Sequence, residues 1–90
     1  MEHAAVARIR EAVQAAQHLV HSGKLDNCDV DDIDELITSI DRELGRPSPN
    51  KNTLSTYLNS LARSLRSHPH AHGVSSQLET AMREAKVPTN

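Results

Sequence analysis

This chain of 90 residues has no tryptophan, no phenylalanine and a single aromatic residue, Tyr57. Any core must therefore be built from Leu, Ile, Val, Ala and Met, whose buried side chains contribute roughly 1.5–3 kcal/mol each. The lone cysteine, Cys28, cannot form an internal disulfide. Only three glycines occur, Gly23, Gly45 and Gly73, and they are spread too far apart to build a glycine-rich phosphate loop. No apolar run approaches membrane-spanning length. The first residues, MEHAAVARIREAV, carry charges throughout and have none of the continuous apolar character of a secretory leader. Net charge is only -2, far from the strongly basic coat of many nucleic-acid binders or from a polyanionic tail. These absences point to a cytoplasmic protein in a reducing compartment with no membrane contact.

What the chain does have is a pattern. Apolar residues recur at steps of three and four in four stretches: Val6, Ile9, Val13, Ala16, Val20; Val30, Ile33, Ile37, Ile40, Leu44; Leu54, Leu58, Leu61, Leu65; and Val74, Leu78, Ala81, Ala85. That spacing places each set on one side of an α-helix. The expected fold is all-α, a small antiparallel four-helix bundle in one domain covering residues 1–90, with helices over 4–21, 30–44, 52–67 and 76–87. Folding at this size hides only about 60–70 per cent of the surface of the unfolded chain. Helix 1 is rich in small residues (Ala5, Ala12, Ala15, Ala16), so a partner or a second copy of the chain would help to cover it.

The joints carry recognisable signals. Gly23 can take the left-handed conformation that ends helix 1. Asp29 and its neighbours can cap helix 2 and oppose its positive end. Pro47 and Pro49 break the chain after Gly45. Asn52 is a candidate cap for helix 3, and Ser76-Gln-Leu-Glu79 reads as a capping box for helix 4, with Pro88 as its terminator.

Charge is segregated along the sequence. Asp26, Asp29, Asp31, Asp32, Asp34, Glu35, Asp41 and Glu43 crowd residues 26–43 against a single Arg42, while no acid occurs between Leu44 and Gln77. In the plainest reading, helix 2 is a solvated face compensated by a mildly basic helix 3 beside it. The functional reading is a charged docking surface for a protein partner, with Asp31, Asp34 and Glu35 as the contact residues.

Calcium would need a turning backbone and a central glycine, whereas Ile33, Leu36 and Ile37 keep the acidic stretch in helical phase. Histidines occur as His18 and His21, three apart and upstream of Cys28, and as His68, His70 and His72 in alternation. Neither group has a diagnostic ligand spacing, so no metal and no cofactor is expected. No nucleophile elbow surrounds the serines, and the acids beside Cys28 disfavour its thiolate, so no enzymatic activity is expected.

Helix 3 gives the alternative. Its outward residues Ser55, Thr56, Asn59, Arg63 and Arg66 can hydrogen-bond to phosphates or base edges. Glu43-Leu-Gly-Arg-Pro-Ser-Pro-Asn followed by Thr53-Leu-Ser-Thr-Tyr-Leu resembles the turn and recognition helix of helix-turn-helix proteins, over about a third of the chain. The resemblance implies a small DNA-binding regulator that reads DNA with residues 52–67. It departs from that pattern in its double-proline turn and in the acidic helix before it, which the DNA backbone would repel. The first expectation is thus a non-enzymatic interaction or regulatory module that docks a protein through the acidic face of helix 2 or an uncovered apolar strip on helix 1, with self-association a further option.

Overall fold

The computed structural model describes residues 2–25 and 29–89. Asp26 and Cys28 therefore lie outside the described residues, and the readings that involved them go no further. The elements are α1 (His3–Val20), α2 (Val30–Leu44), α3 (Lys51–Arg66) and α4 (His72–Glu84), with one turn of 3-10 helix, Pro69–Ala71, leading into α4. No strand occurs among the described residues. The fold is the expected all-α four-helix bundle.

Each helix begins where a side chain can satisfy free amides, or fails to and leans on its neighbours. Asp29 caps α2 by accepting from the Asp32 amide at 3.1 Å. Asn50 caps α3 by accepting from the Thr53 amide at 3.0 Å, so the cap lies two residues before the expected Asn52. The start of α4 departs further. Pro69 occupies the first turn of the 3-10 segment, Ala71 is fully buried, and the chain passes straight into α4 at His72 without a side-chain cap. Ser76 and Glu79 consequently sit inside the helix, and the capping-box reading is wrong: packing of Ala71 and Ser75 against the bundle starts the helix four residues earlier. Gly73 lies in the first turn of α4 rather than in a joint.

Helix ends are equally explicit. Gly23 adopts φ 78 two residues beyond His21, the C-cap of α1, a left-handed conformation that glycine takes freely. At the end of α4, the Lys86 amide donates to the Arg83 carbonyl (3.1 Å) and the Val87 amide to the Met82 carbonyl (2.9 Å). This is the Schellman arrangement, with Lys86 at φ 59 in the position that favours glycine. Val87 folds back and is buried along with Met82.

The four apolar stripes meet in one core. Ile9, Val13, Ala16 and Val20 of α1, Ile33, Ile37, Ile40 and Leu44 of α2, Leu54, Leu58, Leu61 and Leu65 of α3, and Leu78, Ala81 and Met82 of α4 are all buried. Each helix packs on two others in the cyclic order α1, α2, α3, α4, as short joints demand. The molecule measures 36 × 21 × 20 Å with a radius of gyration of 12.0 Å, matching the value of about 12 Å expected for a compact chain of this length.

Candidate functional site

Core formation uses nearly every large apolar side chain. Ile9, Val13 and Val20 are buried, Val6 is half-buried against the core, and no large hydrophobic residue among those described is exposed. The uncovered apolar strip expected on α1 is thus absent, because α4 and α2 lie over it. The apolar seam of α1 is filled from within the chain.

Charge is left as the distinctive surface feature, and its pairing is uneven. Three acids are answered by arginines, Glu43 by Arg46 at 3.3 Å, Glu79 by Arg66, and Glu84 by Arg8, while Glu2 and Glu11 are exposed without an ion pair among the described residues. These pairs tie α3 to α4 and α1 to α4, so the basic residues of α3 do not compensate α2. Asp29, Asp31, Asp32, Glu35 and Asp41 are exposed and carry no ion pair among the described residues. Among the described residues Asp34 alone on this face meets a side chain of another helix end, His21, whose Nε2 lies 2.9 and 3.0 Å from the two carboxylate oxygens.

Crowding on this face is sufficient to perturb a titration. The Asp32 carboxyl is raised above its ordinary value, first by a hydrogen bond with the Asp29 carboxyl and by the charge of Asp29, then by slight desolvation and by the charges of Glu35 and Asp31. Part of this acidity serves the helix itself, since Asp29 is the cap and Asp31 and Asp32 stand in the first turn against the positive helix end. Glu35 and Asp41 lie beyond that turn and have no such role.

The candidate DNA face is distributed differently. Ser55 Oγ donates to the Pro88 carbonyl at 2.7 Å, and Asn59 Nδ2 donates to the same carbonyl at 3.0 Å and to the Ser55 carbonyl at 2.8 Å. Both residues therefore strap the segment after α4 onto α3. Thr56 Oγ1 donates back to the Asn52 carbonyl at 3.2 Å, and Arg66 is held by Glu79. Arg63 alone of the five is exposed and without a partner among the described residues.

Histidines are scattered. His18, His70 and His72 are exposed, His68 is half-buried, and no three His, Cys, Asp or Glu residues among those described converge on a point that could hold a metal ion. The clefts among the described residues are open and shallow; the groove between α1 and α4 is walled by Arg8, Glu11, Gln77 and Glu84. No helix among the described residues is long and apolar enough to cross a membrane.

Sequence reading missed one important residue. Glu43 is the one charged side chain buried in the described structure. Its Oε2 accepts the Asn50 amide at 2.9 Å, and its Oε1 meets Arg46. It thus fastens the double-proline joint to the end of α2, although in the sequence it reads as one more member of an acidic run. No protein-family model, curated protein or solved structure matches this chain.

Proposed function

We propose that this protein is a small helical interaction module that docks a basic protein partner through the exposed carboxylates of α2. The observation that carries this reading is the density of unanswered charge: Asp31, Asp32, Glu35 and Asp41 have no ion pair among the described residues and, unlike the equally unpaired Glu2 and Glu11, share one short helix, whereas Glu43, Glu79 and Glu84 are each met by an arginine. Beside its hydrogen bond with Asp29, the Asp32 carboxyl is raised by the charges of Asp29, Glu35 and Asp31, a repulsion that a partner's lysines or arginines would relieve. Such a surface favours fast, salt-sensitive encounter and rejects acidic partners. The module has no catalytic task in this reading.

Asp31 and Glu35 stand one turn apart on the exposed side and form the contact pair. Asp34 contributes less freely, because a contact at Asp34 competes with His21. The test is capture of partners from the native host by the intact chain and by Asp31→Lys/Glu35→Lys, with recovery quantified at low and moderate salt. Native recovery should fall with salt, and the reversed variant should lose the same protein. Equal recovery by both proteins rejects the proposal.

DNA binding through α3 is the less supported alternative, since Ser55, Asn59 and Arg66 are already engaged within the chain. It predicts a low-salt mobility shift that Arg63→Ala diminishes.

A further inference from the structure

The end of α2 carries a second feature, opposite in character to its acidic start. Ser39, Arg42, Glu43 and Arg46, together with Tyr57 of α3, line a groove of about 290 Å³. Ligand pockets run from roughly 300 to 1,000 Å³ for drug-sized molecules, so a space at the bottom of that range suits a single charged group on a stem rather than a whole cofactor.

The groove combines two guanidinium donors, Arg42 and Arg46, with two hydroxyls that can donate or accept, Ser39 and Tyr57, and one carboxylate, Glu43. The Glu43 carboxylate is committed, one oxygen to the Asn50 amide and the other to Arg46. Arg46 nevertheless makes that single contact, at 3.3 Å, and keeps most of its N–H groups free with 65% of its side chain exposed. Arg42 is exposed and has no ion pair among the described residues, although Asp34 and Glu35 line the adjoining cleft with it. The Ser39 hydroxyl and the Tyr57 phenol line the same space without a hydrogen bond to any described residue. Glu43 offsets the charge of Arg46, and Arg42 supplies the uncompensated positive charge.

We propose that this groove binds a phosphate monoester, with Arg42 and Arg46 as the charged donors, Ser39 and Tyr57 as hydroxyl donors, and the tyrosine ring as an apolar wall for the ester's stem. A phosphate monoester offers three terminal oxygens and a charge approaching two near neutral pH, and so engages both guanidinium groups and a hydroxyl together. A carboxylate has too few oxygens to use all of these donors. Guanidinium groups suit the task because their fixed N–H fork matches the edge of a phosphate. The carbonyl end of α2 and the Glu43 carboxylate oppose an anion, so binding depends strongly on Arg42. The groove adjoins the docking face, since Ser39 and Arg42 also line a cleft with Asp34 and Glu35, but Asp31 lies in neither, so Arg42→Gln tests this site and Asp31→Lys tests the other.

The test is a two-dimensional amide NMR titration of the intact chain with inorganic phosphate, with a short phosphoserine peptide and with acetate, at matched ionic strength in sodium chloride and slightly alkaline pH. Saturable shifts confined to Ser39, Arg42, Arg46, Tyr57 and their neighbours are expected with both phosphates, and weaker ones with acetate. Tighter binding of the peptide identifies a phosphorylated protein as the source; equal or tighter binding of inorganic phosphate identifies a small phosphate. Arg42→Gln changes an exposed residue, so its spectrum should otherwise be unaltered, and its affinity should fall about tenfold, as loss of one charge-assisted hydrogen bond predicts. Tyr57→Phe keeps the ring and should weaken binding less. Shifts that sodium chloride reproduces, acetate binding as tight as phosphate, or an Arg42→Gln titration equal to the native one overturns the proposal.

Discussion

Replacing Glu43 by alanine removes the acceptor that holds the Asn50 amide at 2.9 Å and the partner of Arg46 at 3.3 Å. A hydrogen bond to a charged group contributes about 1.5–3 kcal/mol net. Asn50 is exposed, so water can reach its amide after the change and the lower part of the range applies; the Arg46 pair, on a side chain 65% exposed, adds little. The expected loss is about 2 kcal/mol, or roughly 8–16 °C in Tm for a domain of this size. Glu43→Gln keeps a neutral acceptor for Asn50 and should cost about half as much, and Arg46→Ala should cost under about 0.5 kcal/mol. Urea unfolding followed by helical circular dichroism resolves these steps, with an unchanged slope showing that the same surface is exposed in every variant. If Glu43→Ala melts with the native protein, or if Arg46→Ala costs as much as Glu43→Ala, then Glu43 does not fasten the joint and only contributes to surface charge.

Other outcomes follow from the same structure. Leu61 is fully buried, and Leu61→Ala should cost about 2–5 kcal/mol in the same unfolding assay, a large share of the stability of a small domain. Lys86 sits at φ 59, and Lys86→Gly should stabilise the chain by roughly 0.5–1 kcal/mol, the relief of left-handed strain less the added freedom of glycine in the unfolded state; a lower Tm would contradict the Schellman end of α4. Asp32 has a carboxyl raised above its ordinary 3.8, so the folded chain holds that proton more tightly than the unfolded chain does. Its contribution to folding is therefore favourable at low pH and is lost as pH rises through the raised value. Urea melts across mildly acidic pH should show Asp32→Asn more stable than the native chain near neutrality, with the advantage disappearing as pH falls towards 3.8; an Asn variant that is less stable at neutral pH would refute the crowding on this face.

Helix existence was legible because the stripes are long and regular: each of Ile33, Ile37, Ile40, Leu44 and Leu54, Leu58, Leu61, Leu65 is buried as its spacing requires. Helix boundaries were less so. The start of α4 depends on the burial of Ala71 and Ser75, a tertiary effect that no capping residue announces, while the Ser76–Glu79 pattern satisfies a local rule that the helix does not use. The acidity of α2 could be read from composition, but whether α3 compensates it depended on which helix each arginine faces, and Arg66 turns to α4. Ser55 and Asn59 read as exposed donors in sequence, yet the chain after α4 returns to occupy them, a contact spanning 33 and 29 residues that helical periodicity does not encode. Glu43 was hidden for a similar reason, since its acceptor role depends on the backbone path through Pro47 and Pro49.

The most direct measurement is the association rate constant of the captured partner with the intact chain and with Asp31→Lys/Glu35→Lys, taken across ionic strength. The docking account predicts that native association slows as salt rises, that the reversed variant associates more slowly at low salt, and that the two converge at high salt where charges are screened. Equal rates at low salt, or a native rate indifferent to salt, would contradict the claim that the unpaired carboxylates of α2 are a docking surface.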